Sequence, residues 1–93
     1  MAESFSQEVS ETPINIVSEL SLAASTSYVV QNRTFRTIFL YEDSNAPANP
    51  ATAAGTFSFE NEEYLQIDVD SASTPVWVWT SYGTGNVSVL EKS

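Results

Sequence analysis

The residues of this chain that could do chemistry are nearly all carboxylates. The chain has twelve Asp and Glu residues and neither cysteine nor histidine, which removes thiolate nucleophiles, disulfides, zinc sites and imidazole proton transfer. Acidic side chains concentrate at Glu60, Glu62, Glu63, Asp68 and Asp70. Calcium binds sets of hard oxygen ligands. The candidate metal ligands are therefore Glu60, Glu62, Asp68 and Asp70, and calcium is the cofactor that the composition allows.

The spacing of these carboxylates matches no known calcium loop. Glu42 to Asn45 offers a second set of oxygens, also without the EF-hand spacing, and acidic turns are usually solvated surface. Two carboxylates can also hydrolyse a glycosidic bond, but a 93-residue chain leaves little room for a sugar cleft. We therefore expect no catalytic residue and no resident cofactor, and we predict that the protein is not an enzyme.

The charge of the chain restricts its partners. The twelve acidic residues are balanced by only three basic residues, Arg33, Arg36 and Lys92, and the net charge is therefore −9. A surface of this sign repels phosphate backbones and anionic lipid, so we expect neither nucleic acid nor membrane as a partner. The first residues resemble no signal peptide, and no segment has the length of apolar sequence that a membrane span needs. We expect synthesis and retention in a cytoplasm.

The elements that would position these residues are predicted to be strands. Tyr64 to Asp70 alternates apolar and polar residues with a period of two, which places one side of a strand on a core. Shorter runs of the same kind recur along the chain between turn signals, and apolar residues nowhere follow helical spacing over three turns. We predict an all-β fold of about seven short strands, arranged as a compact antiparallel β-sandwich, a jelly-roll-like fold or a small barrel.

Two segments depart from this alternation. Residues 1–13 are rich in Ser and Glu and end at Pro13, which predicts a flexible N-terminal arm followed by a single β domain over residues 14–93. The arm could instead become ordered on a neighbouring subunit, with Phe5 and Val9 as anchors. Glu42 to Gly55 contains two prolines and no large apolar side chain. Loops of this length usually bind something or stay mobile.

Two predicted strands are apolar on both faces, one over residues 34–41 and one over residues 76–80. Such strands need cover on both sides, which we assign to the core and to a contact between subunits. An alternative is that Trp77 and Tyr82, with the Glu42 to Gly55 loop, stack on a sugar ring. The predicted interface consists of Phe5, Val9, Phe39, Tyr41, Trp77, Trp79 and Tyr82.

The order of these segments resembles the small all-β structural proteins of tailed bacteriophage virions, the decoration, cement or fibre-type subunits. The likeness covers roughly residues 20–91 and includes the runs LSLAAS, YVVQN, IFLYE, APANPATAAG and VWVWTSYGTGNVSVLE. It is a likeness of style and order, and it assigns a role to no individual residue.

The resemblance implies a non-enzymatic virion structural protein made in the host cytoplasm. Such subunits are homo-oligomers, commonly trimers, that dock on other virion proteins such as the major capsid protein. A capsid decoration or cement subunit is the leading interpretation. The alternative is a tail or fibre adaptor, or a lectin-like binding module that recognises a host glycan.

Overall fold

A computed structural model describes residues 4–50 and 55–92. Eight strands and one short helix lie within these ranges. Their bounds are β1 Ser4–Val9, β2 Ile14–Asn15, α1 Ile16–Glu19, β3 Thr26–Arg33, β4 Ile38–Glu42, β5 Phe57–Phe59, β6 Tyr64–Val69, β7 Val76–Thr80 and β8 Gly85–Glu91. No helix in these ranges has the length and apolar character needed to cross a membrane.

The strands form two four-stranded antiparallel sheets. Sheet A has the order β1-β8-β3-β6, and sheet B has the order β2-β7-β4-β5. Every connection except that from β4 to β5 joins a strand of one sheet to a strand of the other, so the chain passes repeatedly between two layers. The predicted all-β fold is confirmed as a small β-sandwich, with one strand more than expected.

The core lies between the two sheets and is built by alternation. In β6, Leu65, Ile67 and Val69 point inward while Gln66 and Asp68 are exposed. The same pattern in the other strands buries one side of each sheet. The most buried core side chains are Val9, Ile16, Val30, Ile38, Val76, Val78, Val87 and Val89.

The N-terminal segment is a strand, and the prediction of a flexible arm was wrong for the described residues 4–13. Strand β1 pairs with β8 over its whole length, from Ser4 opposite Leu90 to Val9 opposite Gly85. Val9 is buried in the chain's own core, and Phe5 packs against that core. These two residues therefore contact their own subunit. Residues 1–3 lie outside the described ranges.

The sequence pattern also missed the short helix α1. Ile14 and Ile16 alternate with Asn15, as residues of a strand do, but β2 ends at Asn15. The side-chain oxygen of Asn15 accepts hydrogen bonds from the backbone N–H groups of Val17 (3.1 Å) and Ser18 (3.4 Å). This is helix N-capping, and it turns the chain so that both Ile16 and Val17 are buried.

Candidate functional site

The structure does not bring the predicted metal ligands together. Glu60 and Glu62 lie in the turn between β5 and β6, Asp68 lies near the end of β6, and Asp70 begins the turn after it. No group of three or more acidic side chains in residues 4–50 and 55–92 is arranged to hold a metal ion. A calcium site at these four residues gains no support from their placement.

Two of these carboxylates instead hold the backbone and neighbouring side chains in place. Asp70 accepts hydrogen bonds from the Thr74 hydroxyl (2.6 Å), the Thr74 N–H (2.9 Å) and the Ala72 N–H (3.1 Å). These bonds, the Thr74 hydroxyl first, lower the pKa of Asp70. The Ser27 hydroxyl (2.6 Å) and then the Gln66 amide lower the pKa of Asp68. Both carboxylates therefore act as hydrogen-bond acceptors that stabilise the local structure.

The outer face of sheet B carries the predicted interface aromatics, and the chain covers much of it. Phe39 and Trp79 stack with ring centroids 5.7 Å apart, and Trp79 is only 4% exposed. The inference that Trp79 awaits a neighbouring subunit is therefore wrong. Its outward side is already covered within a single chain.

The Ala/Pro loop between β4 and β5 has described residues near these aromatics. The Trp77 indole Nε1–H donates to the backbone carbonyl of Asp43 (3.0 Å). Pro50 lines the same surface pocket as Phe39 and Trp79, and Pro47 is buried. That the loop binds something or stays mobile remains a prediction. Residues 51–54 lie outside the described ranges.

The remaining predicted interface residues have separate environments. Trp77 and Tyr41 are half-buried, while Tyr82 is exposed. Trp77 lies near the start of β7 and Tyr82 lies beyond its end, so the strand length separates them. The three parts of the proposed sugar-stacking site, Trp77, Tyr82 and the Ala/Pro loop, therefore do not form one surface.

A different aromatic cluster projects from the end of the sandwich where β3 turns into β4 and β7 turns into β8. We call Phe35, Arg36 and Tyr82 the aromatic tip. Phe35 is 83% exposed, and the Arg36 guanidinium carbon lies 4.9 Å from the centre of the Tyr82 ring. At this distance the two side chains form a cation–π contact, which joins the turn between β3 and β4 to the turn between β7 and β8.

The backbone of Phe35 is held in an unfavourable conformation. Its φ is 63°, in the left-handed region where the Cβ of a bulky residue crowds the carbonyl. The Phe35 N–H donates to the side-chain oxygen of Asn61 (2.9 Å) in the neighbouring turn. Strain of this kind persists only where surrounding contacts impose it, and it is found most often at functional sites.

Buried Asn32 supplies most of those contacts. Its amide donates to the carbonyls of Arg36 and Phe59, and its side-chain oxygen accepts from the Thr34 N–H (2.8 Å) and hydroxyl (2.6 Å). Its backbone bonds to Glu62 and Glu63 of the next turn. Asn32 is an inward residue of β3, and its side chain closes the turn that carries Phe35.

The second turn of the tip is equally well held. The Arg36 side chain donates to the carbonyls of Thr34 and Thr84, both at 3.0 Å. It lies against Gly83, where a Cβ would come within 2.8 Å of the guanidinium. The Gly83 N–H donates to the carboxylate of Glu11 (3.0 Å). The aromatic tip is thus a rigid, exposed feature formed by four segments distant in sequence.

Sequence reasoning missed Phe35 because TFRTIFLY reads as one continuous apolar strand. The available signal was the polar run Asn32 to Thr34, in which Asn32 and Thr34 are residues able to form local hydrogen bonds. Comparison with known proteins adds no assignment: no family model, no curated protein and no solved structure matches this chain.

Proposed function

We propose that this protein is a non-catalytic structural subunit that docks through its aromatic tip on another protein of a larger assembly. The observation that carries the proposal is Phe35, which is 83% exposed in a backbone conformation that costs roughly 1–2 kcal/mol. A sequence selected for stability alone would place Gly or Asn there. Retaining a strained, solvent-facing phenylalanine is understandable if a partner buries it.

The chemistry of the tip fits a protein partner. Burying a phenylalanine side chain in an apolar pocket contributes about 1.5–3 kcal/mol, and aromatic residues with Arg are the commonest energetic centres of protein interfaces. Because hydrogen bonds from Asn61 and around Asn32 already fix the turn, docking would cost little conformational entropy.

The specific form of the proposal is a capsid decoration subunit bound to the major capsid protein of a virion. The sequence resemblance to virion structural proteins supports this form. Homo-oligomerisation, commonly as a trimer, stays part of this proposal. Trp79 itself does not contribute to the surface between subunits, because it is buried within the single chain.

The decisive experiment replaces Phe35 with glycine. Gly adopts positive φ without a Cβ clash, so we expect Phe35→Gly to leave the free energy of unfolding unchanged or to raise it by up to about 1 kcal/mol. Cosedimentation with shells of the virus's major capsid protein should nevertheless weaken at least tenfold, equal to about 1.4 kcal/mol. Loss of binding without loss of stability is the expected signature.

The matched control is Phe57→Ala, because Phe57 is also strongly exposed, at 64%, but lies on edge strand β5 away from the tip. We expect this variant to bind shells like the unmodified protein. Equal weakening by both substitutions would contradict the role of the tip. Failure of the unmodified protein to bind shells would contradict the capsid form of the proposal.

A further inference from the structure

The outer face of sheet A carries an open groove of about 640 Å³. Its volume lies within the range of small-molecule binding sites. We call this the sheet A groove. It is lined by Ser4, Phe5, Ser6, Val29, Gln31, Arg33, Tyr64, Ser88, Val89 and Leu90.

A row of outward-facing residues crosses all four strands of the groove. Ser6 lies opposite Ser88, Ser88 lies opposite Gln31, and Gln31 lies opposite Tyr64. At about 4.8 Å between neighbouring strands, this row is about 14 Å long. The length suits a chain of several rings rather than a single small molecule.

Differences in side-chain size shape the groove on the outer face of sheet A. Serines on edge strand β1 and on its neighbour β8 leave that side of the face low, while Tyr64 rises on the opposite edge strand, β6, with 67% of its surface exposed. In the adjacent row, Leu90 and Val29 lie opposite each other and add an apolar strip. The groove therefore has an aromatic ring, an aliphatic strip and a hydroxyl-lined floor.

Its polar groups are positioned before any ligand arrives. The Gln31 amide donates to the backbone carbonyl of Glu62 (2.9 Å), and the Asn86 amide donates to the Ser6 hydroxyl (3.1 Å). Arg33 is exposed on the same face and pairs across the strands with Asn86. The Gln31 amide and the Ser6 hydroxyl are thus held by hydrogen bonds in the row next to the apolar strip, and Arg33 lies in the row beyond it.

We propose that the sheet A groove binds a neutral oligosaccharide. Sugar rings present apolar C–H faces that stack on an aromatic ring and hydroxyls that pair with fixed polar groups, which matches the lining residue by residue. The site is distinct from the aromatic tip and does not depend on its function.

The lining disfavours the other occupants of such a face. Buried centres of protein interfaces are apolar and aromatic, whereas the two central strands of this face, β8 and β3, carry the polar pair Ser88 and Gln31 next to Leu90 and Val29. An acidic glycan would be repelled by the net charge of −9 and by Glu8 and Asp68, which lie on the outer side of the same sheet. A neutral oligosaccharide is therefore the occupant that the lining favours.

The test is nuclear magnetic resonance titration of the full chain with cellohexaose, maltohexaose, mannohexaose and chitohexaose at millimolar concentration. We expect at least one of these saccharides to shift backbone amides around Ser6, Gln31, Tyr64 and Ser88. In Tyr64→Ala the dissociation constant for that saccharide should rise at least tenfold.

Phe57→Ala serves as the control, since Phe57 is an exposed aromatic residue on edge strand β5 of sheet B, outside both the groove and the aromatic tip. Its dissociation constant should stay within about twofold of the unmodified value. The proposal is overturned if none of the four saccharides shifts these amides, or if the shifts map elsewhere. It is also overturned if the same amides shift with protein concentration alone, because the occupant would then be a second copy of the chain.

Discussion

Individual polar side chains stabilise turns of this domain through their hydrogen bonds. Asn32 and the acidic residue Asp70 are two examples. Asn32 closes the turn that carries Phe35, and Asp70 closes the turn between β6 and β7 by accepting from Ala72 and Thr74. Because the ionised form of Asp70 accepts these bonds, its pKa is lowered. Its contribution to stability is then complete above the ordinary carboxyl pKa and is lost as pH falls through the folded-state pKa.

This linkage predicts the behaviour of Asp70→Asn. We expect the variant to be less stable than the unmodified protein at pH 7, because the charged acceptor is gone. The difference should shrink as pH falls below about 4, where the carboxylate becomes protonated. Urea unfolding at several pH values measures this. Glu8→Gln removes the same charge from an exposed strand position and should show a smaller difference; an Asp70→Asn deficit that persists unchanged at low pH would contradict the assignment.

At the scale of elements, edge strand β1 completes sheet A. It pairs with β8 at the opposite end of the chain, and its inward residue Val9 enters the core. An element first interpreted as a loose arm therefore belongs to the folding unit. The close approach of Gly85, the partner of Val9, to Thr34 shows how tight this end is, since a Cβ there would lie 2.6 Å from the Thr34 Cβ.

Val9→Ala distinguishes a strand from an arm. Removing a buried valine side chain's apolar surface should lower the free energy of unfolding by about 1.5–3 kcal/mol, whereas a flexible arm would show no change. Denaturant unfolding gives the value. Ser6→Ala, on the exposed side of the same strand, should change stability by less than about 0.5 kcal/mol. Equal stability of the Val9 variant and the unmodified protein would mean that β1 is not docked in solution.

At the scale of the whole molecule, the aromatic side chains differ in how far the single chain buries them. Trp79 on sheet B is 4% exposed, while Tyr64 on the outer face of sheet A and Phe35 at the aromatic tip are 67% and 83% exposed. The two proposed binding surfaces therefore lie away from the buried Trp79. A strand that is apolar on both faces does not require a second subunit where its own chain buries the outward side chain.

Trp79→Ala tests this arrangement. We expect a loss of about 3–5 kcal/mol in the free energy of unfolding, the usual cost of removing a buried tryptophan, with no change in the native mass measured by light scattering. Tyr82→Ala, at the exposed tip, should cost less than about 1 kcal/mol. A lower native mass for the Trp79 variant, at a concentration where it stays folded, would show that Trp79 lies between subunits after all.

Much of the architecture followed from the sequence because alternation is a local property. A period of two in Tyr64 to Val69 is enough to predict a strand and its buried side, and repetition of that pattern indicated the all-β fold. The lack of Cys and His and the net charge of −9 follow from the composition alone. They limited the catalytic groups and the partners to be expected before any structural information was available.

The tertiary structure decided the properties that depend on segments distant in the chain. Strand β1 pairs with β8 from the other end of the sequence, Trp79 is buried within the single chain, and Asn32 and Asn61 hold the turn that exposes Phe35. Alternation assigns residues to faces but does not say which segment will pair with or cover each face. Those contacts join residues far apart in sequence, so they are determined by the folded chain as a whole.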